Sequence, residues 1–414
     1  KTKKKLIKIK EHPNYSLNKT KILDKILSKF FSLLSVFFKN QIILSNIGVT
    51  FLQNIKVNLF LRQVPLILLE PEYEKKKIDI IKRKKFFFKL RKNKKNFEDF
   101  FDNIIHLLIP KSYLEDFHSI NQSLEKSFWP KNCEKIVTAF DYKIRDVFKI
   151  WCAKMVSKKA KYIILQHGGN FGSSEYEIEE DMQKSVAHTF LSWGWKDKIH
   201  RNVKPFCAFH LNFIKKKKHA PNNSLLICIH FNSKYSYRIS SVPKTNFDRL
   251  NRLLQIKDLI LNLDRKLSIT LRYQKYLEKS FELKFNRNFF PKHINYDISE
   301  NHIKKIIHKY CLVIHDADST TFLESMFLNI PSILLLDRKI DKFRPKASKF
   351  YKELEKKNVV FYNSKKAANF IKKINHSVDD WWLDKDLQKV RINFCNNFVK
   401  YSKNPIKDFR KILN

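Results

Sequence analysis

Glycine is scarce in this chain, with 5 residues in 414. That leaves few places for a backbone to turn through positive φ or to approach a ligand closely. The glycine-dependent nucleotide signatures are accordingly missing: there is no Walker loop and no dinucleotide-binding glycine fingerprint, nor is there a G-x-S-x-G elbow or an H-E-x-x-H helix. Six cysteines stand at 133, 152, 207, 228, 311 and 395, and none forms a C-x-x-C pair. Neither a zinc site nor a disulfide framework is indicated, and buried reduced thiols of a cytoplasmic protein are expected. Long apolar runs are missing too. The best candidate, Phe30 to Phe38, is flanked by lysines and is half the ~18 to 20 residues of a membrane-spanning helix. No signal-peptide pattern is visible, so the sequence reads as soluble and cytoplasmic. The first residue is Lys1 rather than Met, which fits a sequence lacking its first residues.

What is abundant is positive charge. The net charge is +43, and Lys and Arg run from end to end rather than in one block. Such a balance favours anionic partners. No nucleic-acid motif accompanies it, so no specific nucleic acid is expected. Peripheral attraction to an anionic membrane at the inner face of the cell is the expected consequence. At 43% hydrophobic residues the chain can bury substantial cores.

Residues 1 to 65 read as helical, Val64–Glu70 as a short strand, and 97 to 126 as helical with a break at Pro110. A strand and helix alternation then begins. Lys135–Phe140 and Tyr162–Leu165 are compact β-prone runs separated by a helix from Arg145 to Ser157, and Phe190–Trp195 is a further strand and turn. The lysine run 215–218 has linker composition. Beyond it the alternation restarts, with strands at 225–230, 267–272, 311–315 and 332–336 and helices at 246–262, 303–309 and 319–328. The fold class is therefore α/β, with two Rossmann-like halves and C-terminal helices. The N-terminal α/β domain is placed at 1–218, with a helical extension. A second domain follows at 219–378, and helices packing back on the first at 379–414.

Four of the five glycines lie between 168 and 194, three of them within Gly168, Gly169 and Gly172. A loop directly after a strand sits at the carboxyl edge of a parallel sheet, where open α/β folds bind ligands. Gln166 and His167 occupy the strand end, and an imidazole there suits proton transfer near neutrality. The acidic stretch that follows holds Glu177 and Asp181 as candidates for orienting His167 or holding an acceptor hydroxyl; the alternative is a solvated helix start. In the second half a buried strand runs into His315, Asp318, Ser319, Thr320, Thr321 and Glu324. Unpaired N–H groups at that helix start suit a phosphate. A plain cap by Asp318 or Ser319 is the competing reading. Arg238 and Arg272 follow apolar strands and are candidates for neutralising a diphosphate or carboxylate, or for the surface.

Together these motifs resemble the LIC12162 family of transferases, found in bacterial surface-carbohydrate gene clusters. Ile164 to Gly172, Trp193-Gly194-Trp195, His315 to Glu324, Asn329 to Ile333 with Asp337, and Asp379-Asp380-Trp381-Trp382 carry the resemblance, over roughly residues 125 to 400. A more distant similarity extends to CDP-glycerol glycerophosphotransferases and other GT-B glycosyltransferases. The resemblance implies two domains facing each other across a cleft and transfer of a sugar or glycerophosphate-like group from a nucleotide-activated donor. The acceptor would be a surface-polysaccharide or lipopolysaccharide glycan or lipid-linked chain. It also implies no metal and no cofactor beyond that donor. His167 is then the general base, Ser319 and Thr320 hold the donor phosphates, and Glu324 the ribose. This chain has Asp-Ser-Thr-Thr where those relatives have Asp-x-Ser-Ser. The competing classes are a non-catalytic nucleotide- or carbohydrate-binding component and a nucleic-acid-binding protein.

Overall fold

Apolar runs bounded by turn residues become strands here, and the amphipathic stretches between them become the covering helices. In the computed structural model, residues 26, 29–31, 33–34, 42–87, 97–215, 217–220, 223–230, 245–272, 287–299 and 301–413 are described. The described chain divides into two compact units.

The first unit comprises residues up to Ser45 with Asn54–Glu134 and Asp141–Ala160. It carries strand β1 (Ile42–Ser45), most of helix α1 (Phe51–Phe60), and helices α2 (Ile80–Phe87), α3 (Phe97–Leu108), α4 (Phe117–Lys126), α5 (Asp141–Ile144) and α6 (Asp146–Ser157). The strand at 42–45 replaces the helix expected there. Conversely, Val64–Glu70 forms no strand. Pro65 has no N–H to give a ladder. The carbonyls of Leu68 and Leu69 instead accept from the Arg145 guanidinium at 2.8 Å and the Trp129 indole at 2.5 Å.

The second unit comprises Asn46–Gln53, Lys135–Phe140 and Lys161–Asn414. Strands β2 (Lys135–Thr138), β3 (Lys161–Leu165), β4 (Thr189–Ser192) and β5 (Val203–Pro205) pair in parallel in chain order. A second sheet is built from β6 (Ser224–Cys228), β7 (Ser268–Arg272), β8 (Asn295–Asp297), β9 (Leu312–His315), β10 (Ser332–Leu335) and β11 (Val360–Phe361). Its order is β11-β10-β9-β6-β7-β8, all parallel. The two sheets are those of the expected α/β fold. In β9 and β10 every residue is buried, as strands covered on both faces require.

The helices of this unit are α7 (Ile178–Val186), α8 (Asn246–Leu261), α9 (Thr320–Leu328), α10 (Pro345–Lys356), α11 (Ser364–Ile374), α12 (Val378–Trp382), α13 (Lys385–Phe398) and α14 (Pro405–Leu413). The segment 303–309, expected as one helix, is two 3₁₀ turns, Ile303–Lys305 and Ile307–Lys309. The run is only seven residues long, too short for an α-helix to be favourable by itself, and Ile303 and Ile307 anchor the two turns in the core. Phe409 of α14 packs on Phe206 and Phe209, and the backbone of Lys400 bonds to Trp193 and Ala208, so the tail is fastened next to the first sheet. No helix among the described residues is long and apolar enough to cross a membrane.

Candidate active site

Strand β3 ends at Leu165, and Gln166 is the first residue of the loop. Its buried side chain bonds through both its amide nitrogen and its oxygen. The amide donates to the Gly168 carbonyl at 2.7 Å, and its oxygen accepts from the Trp193 N–H and the Trp195 indole, each at 2.8 Å. Gln166 thereby sets the shape of the loop and ties it to the turn after β4.

The glycines are where they are because other chain atoms leave no room. A methyl group at Gly169 would lie 2.7 Å from the Ser319 carbonyl carbon and the Thr320 nitrogen, and one at Gly168 would lie 3.0 Å from the Thr320 hydroxyl. The Gly169 N–H donates to that hydroxyl at 3.0 Å. So the loop after β3 and the helix start after β9 touch through main chain, and the two motifs picked out in the sequence form one site. Gly172 has φ +74° and abuts the Trp195 ring.

His167 is held edge-on between Phe140 and Phe171, at centroid distances of 5.1 and 5.4 Å, with 11% of its side chain exposed. The Glu179 carboxylate lies 3.9 Å from its Nε2. Glu179 was not singled out in the sequence. Its position follows from Glu177, which stands at the N-cap of α7 and accepts from the Glu179 N–H at 3.3 Å. Asp181 is largely exposed and pairs with Lys184 at 3.0 Å.

The next residue of α7, Glu180, is fully buried and organises the floor of the loop. It accepts from the Gly172 N–H at 2.7 Å, and from Lys184 and Arg344 at 2.8 Å each. Burial opposes the charge on Lys184, but the hydrogen bonds and charges of Glu180 and Asp181 outweigh it and hold its pKa above the ordinary lysine value. Residues after the loop are laced to the segment after β10: Ser174 bridges Phe343, Glu175 donates to the Lys342 carbonyl, and Arg344 donates to that of Ser173.

On the second wall, α9 begins after Ser319 with no side-chain cap. The plain-cap reading therefore fails. Ser319 and Thr321 share a hydrogen bond of 2.8 Å instead. Asp318 accepts from Ser173 at 2.8 Å and Tyr351 at 2.7 Å through one oxygen, while its other oxygen is buried with no partner. Burial pushes its carboxyl up to about 6, against the lowering effect of those hydrogen bonds. Asp316, which accepts from the His230 N–H at 2.8 Å, is raised to about 6 by burial despite the nearby Arg252. Burial raises Glu324 to about 7, with Lys304 opposing. His315 is fully inside the fold, 3.1 Å from the Ser325 hydroxyl and 3.3 Å from that of Thr321, and burial lowers its pKa to about 3.

The two arginines fare differently from this group. Arg272 bonds to Asp297, Ser299 and the Asn301 carbonyl, so its guanidinium is engaged at the end of the second sheet rather than at the loop. Arg238 lies outside the described residues. A different arginine is buried near the second wall: Arg252 grips Asp341 through both carboxylate oxygens at 2.9 and 3.0 Å. Among the described residues no cluster of His, Cys, Asp or Glu has the arrangement of a metal site.

Among solved structures, the chain is similar to Anabaena Alr3699/HepE in complex with UDP and glucose, at 10% identity and a TM-score of 0.45, covering 90% of this chain and 99% of that one. It is also similar to the spinosyn rhamnosyltransferase SpnG complexed with spinosyn aglycone, at 9% identity and TM-score 0.43, with 90% and 100% covered. Acinetobacter baumannii MurG gives 8% identity, TM-score 0.40 and coverage of 90% and 98%. No curated protein matches the sequence. The family model that does match spans residues 1–413, the N-terminal third included, and on that match the chain belongs to the LIC12162 family of transferases.

Proposed function

We propose that this transferase moves a sugar, or a glycerophosphate-like group, from a nucleotide-activated donor to a surface-polysaccharide or lipopolysaccharide acceptor, as a glycosyltransferase of the GT-B type. The observation that carries the reading is the direct abutment of the His167 loop on an uncapped helix start, through Gly169 and Thr320. A base and an anion-favouring helix end within one site are the two elements such a transfer needs. His167 takes the proton of an acceptor hydroxyl as that oxygen attacks the electrophilic centre of the donor, the anomeric carbon of a sugar or the phosphorus of a glycerophosphate-like group, and the bond from that centre to the nucleotide phosphate breaks. Glu179 favours the imidazolium that forms, being a carboxylate 3.9 Å away. The departing nucleotide phosphate is stabilised by the start of α9 with Ser319, Thr320 and Thr321. In this reading residues 1–218 form the acceptor side and 219–378 the donor side. The chain works in the cytoplasm against an anionic membrane face, and chelation of divalent metal leaves the rate unchanged.

The test is transfer and hydrolysis on a panel of CMP-, CDP- and UDP-linked donors. With an active donor in hand, His167→Ala is expected to lower turnover by about 10² to 10⁴ while the nucleotide still binds. Turnover at the wild-type rate would remove His167 from the base role. Nucleotide binding with no turnover on any donor would favour a binding component of a glycan-assembly complex.

A further inference from the structure

Within the first unit, α3 is turned the opposite way from most amphipathic helices. Its apolar positions Phe97, Phe100, Phe101, Ile104, Leu107 and Leu108 fall within about a third of the helix circumference. That side faces out: Phe97 is 76% exposed, Phe100 and Leu108 60%, Leu107 56% and Phe101 41%. His106, on the opposite side, is buried. A surface helix surrounded by water normally does the reverse. The helical positions of Glu98, Asp99 and Asp102 lie outside the apolar arc.

The orientation is fixed by α2, which packs on α3. Arg83 is buried, and its guanidinium donates to both Glu115 carboxylate oxygens at 2.6 Å and to the carbonyls of His106 and Ile109 at 2.8 and 2.9 Å. It thereby fastens α2 to the end of α3. Ile80 and Ile81 of α2, and Ile78 just before it, are exposed as well. Among them Lys75, Lys76, Lys77, Lys82, Lys84 and Lys85 are all exposed, and none is in an ion pair among the described residues. The one carboxylate within 75–85, that of Asp79, accepts from the Lys82 N–H at 2.9 Å. An outward apolar stripe of this extent marks an interaction surface. The lysines select its partner. A second copy docked here about a two-fold axis would bring the lysine-rich stretches of both chains to one interface. An anionic bilayer instead takes up both the charge and the apolar side chains.

We propose, building on the membrane-facing part of the reading above and not on its transfer chemistry, that α2 and α3 lie on an anionic bilayer. The Phe and Leu side chains of α3 enter the boundary between headgroups and acyl chains, and the lysines of 75–85 meet the lipid phosphates. Co-sedimentation of the full chain is measured with phosphatidylcholine vesicles, with and without about a third phosphatidylglycerol. The wild type is expected to bind the anionic vesicles about tenfold or more above the neutral ones. F97A/F100A/F101A should bind them about tenfold more weakly, while I199A/F247A/L261A, which removes three exposed apolar side chains of the second unit, stays within about twofold of wild type. K82Q/K84Q/K85Q should lose about tenfold too, against K365Q/K366Q/K372Q as the same charge change on the exposed face of α11. Unfolding midpoints check that each variant is folded. F100W keeps an aromatic ring in place and gives a second measure: brominated lipid should quench its fluorescence beyond the wild-type level. No binding of anionic vesicles by the wild type, equal weakening by the matched variants, or no added quenching in F100W would overturn the proposal. So would a wild-type dimer that F97A/F100A/F101A converts to monomer in sedimentation velocity, since the face would then belong to a second copy. Donor hydrolysis with soluble substrates stays at the wild-type rate in these variants, so failure of the membrane face is separable from failure of the transfer reading.

Discussion

The loop after β3 and the helix start after β9 both terminate a buried parallel strand at the same site, yet they handle buried carboxylates in opposite ways. Glu180 beneath the loop is ringed by the Gly172 N–H, Lys184 and Arg344, three donors of which two are cations. Asp318 at the helix start has two hydroxyl donors on one oxygen and nothing on the other. One wall is held by compensated charge. The other keeps Asp316, Asp318 and Glu324 shifted towards their neutral forms by burial. At neutral pH carboxyls held at about 6 are still mostly ionised, so of the three only Glu324, at about 7, stands near half-protonated.

The largest effect should come from breaking the compensated wall. Glu180→Gln leaves Arg344 without its buried carboxylate partner and weakens the hold on Lys184. Removing one partner of a buried ion pair costs about 3 to 5 kcal/mol. Lys184 keeps Asp181 at 3.0 Å and Asp197 at 3.2 Å, so the lower end, about 3 to 4 kcal/mol, is expected in urea unfolding. A loss below about 1 kcal/mol would show that charge compensation is not what holds the loop.

Glu324 tests the other wall through pH. Burial lifts its carboxyl from the ordinary 4.5 to about 7. Between those values the folded chain keeps a proton that the unfolded chain has released. Its contribution to stability is therefore whole below the unfolded pKa and is lost as pH rises through about 7. Glu324→Gln has no proton to lose. The stability of the variant relative to wild type should rise by about 3 kcal/mol between the two pH values, since a tenfold change in proton affinity is worth about 1.4 kcal/mol. The other titrating groups are common to both chains and cancel in the difference. Parallel curves would place the Glu324 carboxyl in an ordinary, solvated setting.

The two walls also differ in how much of them could be read in the sequence. Clustering of three glycines in a glycine-poor chain marked the loop, and a polar tail on an apolar run marked the helix start, because both signals are local. The parallel strands β2, β3, β6, β7, β9 and β10 were legible for the same reason: each is a short apolar run between turn residues. What escaped depends on distance along the chain. Tyr351 meets Asp318 from 33 residues away, and Arg344 meets Glu180 from 164. Neither pairing leaves a periodic trace. Glu179 was hidden differently, inside an acidic run where only the N-cap at Glu177 determines which carboxylate turns towards His167. β1 escaped because residues 1 to 65 carry few turn signals and read as helical throughout.

The contact that joins the walls gives the smallest of the three stability effects. Alanine at Gly169 would place its methyl 2.7 Å from the Ser319 carbonyl carbon and the Thr320 nitrogen. Both are main-chain atoms at the start of a helix, so neither can rotate away. Overpacking of this kind costs about 1 to 3 kcal/mol, and about 2 kcal/mol is expected in urea unfolding of Gly169→Ala. Gly168→Ala is the control. Its methyl would meet only the Thr320 hydroxyl at 3.0 Å, which a side-chain rotation relieves. That variant should lose the smaller amount of stability. If the two alanines cost the same, the backbone contact between the loop and α9 is not the tight one, and the two walls yield independently rather than as one surface.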